Sequence, residues 1–415
     1  MQNFEINSAQ IDKIKKITTE EKNFRIKNLE FFRNNGFPNK RLEDWKFSDF
    51  KDIIDKNFET LDTKKVSSNI DKIDLLKDFE HNYILLVNGN LHSSNFKYED
   101  KNRIKINSYD NSINYKISKN PLICLNHALA ENGYSLEIDK NYKFKKVLVI
   151  YNFFKKDVKN KILNNKNKIK LNENSELHVI EYNVNEYNSK FINNVYENVI
   201  LEKNSKFKNL FIQKNKSNSF FHKFLKSKLY LNSDYSNLIF SSGLKFNKLD
   251  IECDLVEENC KCNILSALFL KKDEHQEIKT LVNHLAPNSE SNQKVKNVLS
   301  SESKGVYQGK IYVKDIAQKT NAYQLSKALL LDDNAEFNSK PELEIYADDV
   351  KCSHGSSSGN IDQDSLHYLM TRGLTREDST KLLIKGFLDD VIEFIKSPLI
   401  KKFTKSELEK QINGR

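Results

Sequence analysis

From Leu171 the chain reads LNENSELHVI, from Leu201 LEKNSKFKNLFI and from Leu231 LNSDYSNLIF. Each stretch begins with a polar turn rich in Asn and Ser, continues with short apolar runs, and starts 30 residues after the one before it. Related stretches begin at Val256, Leu285 and Leu330, and the longer last interval leaves room for a degenerate copy at 313–322. The chain therefore contains an internal repeat.

This repeat predicts a β-solenoid. A repeat of ~25–30 residues without helical periodicity is typical of coils that stack their apolar strands into one continuous core. The polar turns would form the corners of the coils, where Asn tolerates a left-handed backbone. A sandwich of several sheets is the alternative. We therefore predict a mainly β fold, with a central β-helix core over 142–360.

A helical module is predicted on the N-terminal side of this core. Over the first 120 residues apolar side chains fall at helical spacings, so the module 1–141 is expected to be mostly helical. Trp45 is the only tryptophan and is interpreted as a packing anchor between this module and its neighbour. Pro121 to Gly133 is predicted to be a short helix, with Pro near its start and Gly after its end.

The C-terminal module, 361–415, is predicted to be helical as well. One helix is expected from Ser365 to Arg372, and a second, capped by Thr375, is expected to run to about Ile395. Thr404 to Glu407 is interpreted as the cap of a final short helix. The apolar stripe of the second helix consists of Leu382, Leu383, Phe387, Val391, Phe394 and Ile395.

Composition excludes several classes of protein. The chain has 415 residues with 26 Phe and 17 Tyr, enough aromatic surface to fill an interior despite a hydrophobic fraction of 38%. Its net charge of +10 comes from lysines scattered over the whole chain rather than from one basic block, which argues against a nucleic-acid partner. No apolar run is long enough for a membrane span, which argues against membrane insertion.

Cysteine usage indicates a reducing compartment. Five cysteines are an odd number in a long chain, which argues against a disulfide framework. The N-terminal sequence MQNFEINSAQIDKIKK lacks the apolar segment of a secretory signal. We therefore expect a soluble, cytoplasmic protein.

The sequence VKCSHGSSSG, residues 350–359, carries the candidate site. Cys352 and His354 are two residues apart in a run that is predicted to be extended, so their side chains project from one face of a strand. A thiol and an imidazole on one face can bind one metal or one sulfur-bearing partner. A single Cys-x-His pair is by itself a weak signal, because free Cys is usually a small core residue.

The sequence EIYADDVKCSHGSSSGNID, residues 344–362, closely resembles the C-terminal signature of the SufB/SufD family, which comprises scaffold subunits of the SUF system for iron–sulfur cluster assembly. Its Cys-Ser-His-Gly version is similar to that of the SufD branch. Near the start of the chain, Arg41 to Phe47 resembles a second motif of that branch, and GKIYV with AQKTNAYQ resembles a third. The resemblance covers essentially the whole chain.

This resemblance implies a right-handed β-helix and a non-enzymatic role. It also implies a SufBCD-type complex in which the chain contacts SufB through the β-helix and the ATPase SufC through the C-terminal helices. His354 and Cys352 match the family positions that contribute to a transient iron–sulfur cluster site shared with SufB. His354 is the first candidate ligand, and Cys352 either binds the cluster or only lies at the interface.

Other interpretations compete with this one. A β-helix polysaccharide enzyme would need a cluster of carboxylates on one face, and a free-standing metal-binding β-solenoid would keep its metal when purified alone. Cys260 and Cys262, with Cys253 upstream, lack the second pair that a structural zinc site requires, so core packing is favoured for them. Gly305 to Ile311 departs from the phosphate-loop motif in length and in its Ile after Lys, so this chain is not expected to bind ATP.

Overall fold

The computed structural model describes residues 6, 9–14, 17–63, 66, 74–109, 118–185, 188–213 and 217–413. Part of the N-terminal sequence MQNFEINSAQIDKIKK lies outside the described residues. The described strands join into a β-solenoid of about 7 turns, flanked by helices at both ends of the chain. The predicted mainly β fold, a β-helix with helical flanks, is confirmed.

The elements have the following bounds. The helices are α1 (Ala9–Asp12), α2 (Thr19–Asn35), α3 (Phe50–Asn57), α4 (Pro121–Leu129), α5 (Gln363–Thr371), α6 (Arg376–Ile392) and α7 (Pro398–Ile412). The first strands are β1 (Asn82–Val87), β2 (Asn90–Asn95), β3 (Ile104–Ser108), β4 (Asn132–Ile138), β5 (Leu148–Phe154), β6 (Ile162–Leu171), β7 (Glu176–Asn185), β8 (Ile192–Leu201) and β9 (Lys206–Gln213). The others are β10 (Ser217–Leu229), β11 (Asp234–Ser241), β12 (Leu244–Leu255), β13 (Lys261–Leu270), β14 (His275–His284), β15 (Glu290–Leu299), β16 (Lys304–Val313), β17 (Thr320–Leu330), β18 (Glu336–Ile345) and β19 (Val350–Asn360).

Each coil of the β-helix contains two strands, and the strands stack in two parallel sheets. From β5 onward the odd-numbered strands pair with one another, and from β4 onward the even-numbered strands do the same. Ile162 pairs with Ile192 and Phe220 with Phe246, so one coil takes about 26 to 30 residues in this part of the chain. This period matches the repeat seen in the sequence.

Left-handed asparagines form one corner of the coils, as predicted. Asn174, Asn204 and Asn232 all have φ between 57° and 59°. The Asn204 side-chain amide donates to Asn174 Oδ1 at 2.8 Å, and that of Asn232 donates to Asn204 Oδ1 at 3.0 Å, which makes a ladder along the solenoid. The stretch at Leu330 was assigned to the wrong corner, because it follows β17 rather than an even-numbered strand; the copy in phase is the degenerate one at 313–322.

The three largest apolar clusters among the described residues organise the molecule. Inward-facing side chains such as Leu201 and Ile251 fill the lumen, which is the interior of the β-helix. On the outer face of the even-numbered sheet, Trp45 and Phe50 of the N-terminal module pack on Phe246 and its neighbours. On the outer face of the odd-numbered sheet, Leu388 of α6 belongs to a third cluster. Trp45 is fully buried, which confirms it as a packing anchor.

The N-terminal segment contains more strand than predicted. Helices extend only to Asn57 before the first strand, and β1 and β2 form an antiparallel hairpin around Asn88 and Gly89, both with positive φ. Asn-Gly directly after the apolar run of β1 is a hairpin signal that the helical interpretation of this region overlooked. Strand β1 also pairs in parallel with β5, so it begins the odd-numbered sheet. The module boundaries at 141 and 360 stay predictions.

The C-terminal helices begin and end close to the predicted residues, with one exception. Thr375 caps α6 by accepting a hydrogen bond from the Asp378 backbone N–H at 3.1 Å. The predicted cap at Thr404 is wrong, because α7 already begins at Pro398 and is capped by Ser397. Pro in the first turn of a helix is a start signal, which explains the difference. None of the described helices is long and apolar enough to cross a lipid bilayer.

Candidate ligand site at the open end of the β-helix

The last coil of the β-helix, formed by β18 and β19, has unpaired strand edges. Within the described part of the chain β18 pairs only with β16 and β19 only with β17. Strand β18 is half-buried through most of its length and β19 is largely exposed. We call this coil the open end. Unpaired edges of this length are available for pairing with another chain.

Cys352 and His354 lie on β19 and share the face that is directed toward the lumen. Cys352 packs against the apolar cluster that contains Ile311 and Ala322. Ser356 accepts a hydrogen bond from Ser326 of the preceding coil at 3.0 Å. Because side chains alternate along a strand, His354 belongs to the same face as the residues on either side of it. The predicted one-sided arrangement of thiol and imidazole is therefore present.

The two candidate ligands differ in exposure. The His354 side chain is exposed, whereas Cys352 is half-buried. Burial raises the pKa of the Cys352 thiol, and a hydrogen bond with the Ala322 backbone opposes that shift only in part. Since thiolate is the metal-binding form, a metal would have to displace the proton from Cys352. His354 is the more accessible donor of the two.

This chain supplies few donors at the open end. Across the described residues, no group of three or more His, Cys, Asp or Glu side chains is placed to hold a metal ion. Cys352 and His354 are thus at most two ligands, whereas an iron–sulfur cluster is usually held by four side chains. Cys352 and His354 could therefore hold a metal ion or cluster only together with donors from another source.

A buried polar network lies directly beneath the candidate site, and the sequence analysis missed it. Gln324 donates to Tyr307 Oη at 3.1 Å, and Tyr307 donates to Gln293 Oε1 at 3.3 Å. Thr280 Oγ1 lies 3.1 Å from the Tyr307 hydroxyl. Gly309 makes room, because a Cβ there would lie 1.8 Å from Gln324 Nε2. Polar residues at inward-facing positions of β14 to β17 were the available signal.

A buried ion-pair cluster lies deeper in the lumen. Lys223 Nζ lies 2.7 Å from Glu181 Oε2 and 3.1 Å from Glu197 Oε1, and all three side chains are nearly inaccessible to solvent. Burial and the nearby Glu181 raise the pKa of Glu197 to about 7, although Lys223 opposes this. A small cavity of about 30 Å³ borders the cluster, lined by Asn167, Lys223 and their neighbours. Such a volume holds one or two water molecules.

The remaining candidates from the sequence lie in the lumen core or inside a strand. Cys253, Cys260 and Cys262 are all buried in the lumen core, which agrees with core packing. Cys262 and Cys253 are close enough for their thiols to hydrogen-bond, and this contact and burial both raise the pKa of Cys262. Residues 305–311 lie inside strand β16, so they form no phosphate-binding loop.

Comparison with known proteins agrees with this architecture. The model of the family described as "SUF system FeS cluster assembly, SufBD core domain" matches residues 153–387. The chain belongs to the SufB/SufD family. The match covers the β-helix from the end of β5 and continues through β19, where Cys352 and His354 lie, into α6.

Curated relatives extend the similarity over the rest of the chain. The iron–sulfur cluster assembly protein SufD of Escherichia coli is 23% identical over 400 residues, which cover 93% of this chain and 92% of that protein. A SufBD family protein of Synechocystis is 31% identical over 209 residues, 49% of this chain and 45% of that protein. Protein ABCI7 of Arabidopsis thaliana is 31% identical over 198 residues, and 41% of its length is covered. The chain thus spans less than half the length of the last two relatives. Within the family it is SufD-like.

Proposed function

We propose that this chain is a non-catalytic, SufD-type scaffold subunit of a SufBCD-type complex that assembles iron–sulfur clusters. Family membership supports a role in cluster assembly. The observation that carries the finer proposal is the open end, where Cys352 and His354 share one lumen-directed face on a strand whose outer edge is unpaired. Two donors on a free edge suit a site that is completed by a second protein.

The chemistry of the two donors fits a transient cargo. Thiolate is a strong, soft ligand for iron and imidazole is a weaker one, so mixed ligation holds a nascent cluster less firmly than four cysteines would. In the proposed complex His354 is the first ligand from this chain, and Cys352 is a second ligand or an interface residue. The half-buried position of Cys352 beside the exposed His354 favours the lesser role for Cys352.

SufB is the proposed partner at the open end. Pairing of another β-helix with the free edges of β18 and β19 would satisfy their unpaired backbone groups. Ile345 and Tyr346, 37% and 60% exposed, lie at the corner where β18 ends and add an apolar rim to this surface. The other ligands of the shared cluster would then come from SufB.

The ATPase SufC is the proposed partner of the C-terminal helices, but the apolar stripe of α6 is not the proposed contact surface. Ile384, Leu388 and Val391 of α6 pack on the odd-numbered sheet, and Phe387, Phe394 and Ile395 are partly buried against the same cluster. The stripe is therefore mostly intramolecular. The exposed apolar side chains of this module are Tyr368, Met370, Leu374, Leu382 and Leu399. The first four, on α5, α6 and the turn between them, make the better docking surface for SufC.

Substitution of the two candidate ligand residues at the open end tests the cluster site. We expect His354→Ala, co-expressed with SufB and SufC, to form an intact complex whose iron and sulfide content falls severalfold, because an exposed side chain supports little core. Cys352→Ser is expected to have a milder effect. The exposed His367 on α5 gives a matched control, since His367→Ala should leave cluster content unchanged. Normal cluster content in His354→Ala would refute the ligand role, and iron retained by the chain purified alone would favour a free-standing metal-binding protein.

Point substitutions test the SufC surface better than truncation. Removing α6 and α7 would uncover the apolar outer face of the odd-numbered sheet, so a chain that ends at Gly359 is expected to aggregate. Leu382→Asp should abolish co-purification with SufC without loss of stability, because Leu382 is 48% exposed. Tyr368→Ser should weaken it. If both variants bind SufC normally, the docking surface lies elsewhere.

A further inference from the structure

We propose that Gln324 is a positioning residue for His354: its side-chain oxygen accepts a hydrogen bond from one imidazole nitrogen and thereby turns the other nitrogen out toward the cargo. This inference rests on the proposed function, because it assigns a purpose to an orientation of the imidazole. Gln324 would act on His354 from within this chain and would not itself contact the cluster.

The register of the last two odd-numbered strands carries the proposal. Gln324 of β17 is paired with His354 of β19 in a parallel ladder. Neighbouring strands lie about 4.8 Å apart and paired residues direct their side chains to the same side, so the two side chains stack. Gln324 is 3% exposed, and its Oε1 receives no hydrogen bond within the described residues. A buried, unused acceptor is therefore paired in register with an exposed imidazole, and the His354 ring has to turn toward β17 to donate to it.

The network below Gln324 determines which end of its amide is free. The Tyr307 hydroxyl donates to Gln293 Oε1, to which Thr280 also donates, and the Tyr307 oxygen accepts from Gln324 Nε2 at 3.1 Å. Gln324 Oε1 then remains as the unused end. Gly309 keeps the space for this amide, since any Cβ would collide with both Gln324 and Tyr307. Two coils of the β-helix thus hold Gln324 in one orientation.

This arrangement matches a general need of histidine ligands. A histidine that binds a metal through one ring nitrogen usually donates its other N–H to a carboxylate, a carbonyl or a water, which fixes the tautomer and the ring direction. An exposed imidazole without such an acceptor would rotate freely and present either nitrogen. A neutral amide oxygen orients the ring without adding a negative charge beside the cargo. Gln324 is the buried acceptor that the open end offers for this purpose.

The tautomer of the His354 ring and the exchange rate of its N–H test this proposal. The full chain is labelled with ¹⁵N-histidine and studied at about pH 8, well above the ordinary imidazole pKa of about 6.5. Long-range ¹H–¹⁵N spectra then report the tautomer and the exchange of the ring N–H. Signals of His354 are assigned by their absence in His354→Ala. We expect one dominant tautomer, with N–H exchange slowed roughly fivefold or more relative to a free ring, as one hydrogen bond provides.

Three variants separate positioning from structural support. Gln324→Met fills the same space without an acceptor, so the ring should return to the tautomer ratio and exchange of a free imidazole. Gln324→Glu keeps an acceptor and should keep one dominant tautomer. Tyr323→Ala, on the exposed face of β17 and paired with Ser353, leaves the network intact and should leave the His354 spectrum unchanged. If Gln324→Met fails to fold by circular dichroism, Gln324→Asn, which withdraws the acceptor by one methylene, takes its place.

The result is independent of whether His354 binds a cluster. A free-imidazole spectrum in the wild-type chain, or an unchanged spectrum in Gln324→Met, would overturn the positioning role even if His354→Ala abolishes cluster assembly. A spectrum that depends on Gln324 together with normal cluster content in His354→Ala would instead overturn the proposed ligand role and leave the hydrogen bond in place.

Discussion

The ring of Trp45 lies against the fully buried side chain of Lys248, whose Nζ is 4.8 Å from the ring centroid. Burial disfavours the Lys248 cation, but the carboxylates of Asp250 and Glu277 outweigh burial and raise its pKa. Lys248 Nζ is 2.8 Å from Glu277 Oε2 and 3.4 Å from Asp250 Oδ1. The N-terminal module thus covers a charged group of the even-numbered sheet with an aromatic face.

Replacement of Trp45 should separate this module from the β-helix. Trp45→Ala removes a buried aromatic side chain and exposes the Lys248 pair to water, and we expect a loss of about 3–5 kcal/mol in the free energy of unfolding. Trp45→Phe keeps an aromatic face over the ammonium and should cost clearly less. Urea unfolding followed by circular dichroism measures both. A Trp45→Ala variant as stable as the wild type would contradict the anchoring role.

A side chain at Gly309 should destabilise the chain. A Cβ at this position would lie 1.8 Å from Gln324 Nε2 and 2.4 Å from the Tyr307 hydroxyl, so both side chains would have to move out of their network. We expect Gly309→Ala to destabilise the chain by about 1–3 kcal/mol, the usual range for overpacking a core. Gly359 at the open end is the matched control, because its Cβ would meet nothing within 4 Å. Equal stability of the two variants in thermal unfolding would show that the lumen can adapt.

The fold was largely predictable because the repeat has a simple physical origin. Each coil needs a corner where the backbone turns, Asn is a residue that tolerates the left-handed conformation, and the distance between corners fixes the period. The stretch at Leu330 was misplaced for the same reason, since a β-helix with two strands per coil has a second set of corners with similar polar turns. The β1–β2 hairpin was missed because helical spacing was extended through Asn88 and Gly89.

Of the candidate site, only Cys352 and His354 on β19 could be predicted from the sequence. A side-chain period of two places Cys352 and His354 on one face whatever the fold, provided that the segment is a strand. Gln324 could not be assigned to His354 from the sequence, because 30 residues separate them and the register of two strands depends on the length of the coil between them. The polar lumen did leave a signal, in polar residues at inward-facing positions, but which of these residues contact one another depends on the same register.

The asparagine ladder should contribute to stability at each coil. Asn204 has φ of 57°, donates to Asn174 and accepts from Asn232. Asn204→Ala loses both hydrogen bonds and places a residue that disfavours the left-handed region at the corner, so we expect a loss of about 1–2 kcal/mol. Asn204→Gly loses only the hydrogen bonds and should be less destabilising. If Ala and Gly at this position are equally stable in urea unfolding, backbone conformation is not what selects Asn here.

Glu197 should make stability depend on pH near neutrality. Burial is the main cause that raises its pKa to about 7 from an ordinary 4.5, with repulsion from Glu181 second and attraction to Lys223 opposing both. Between these two values the folded chain holds a proton that the unfolded chain releases, so the free energy of unfolding falls as pH rises through about 4.5 to 7. Glu197→Gln removes this proton uptake and should be more stable than the wild type by about 1–3 kcal/mol at about pH 8, with little difference at about pH 4.5.

Urea unfolding across this range measures the difference, with Glu173→Gln at an exposed corner as the control expected to show no such trend. A Glu197→Gln variant that is less stable at high pH would mean that the ion pair with Lys223 outweighs the burial of the second carboxylate.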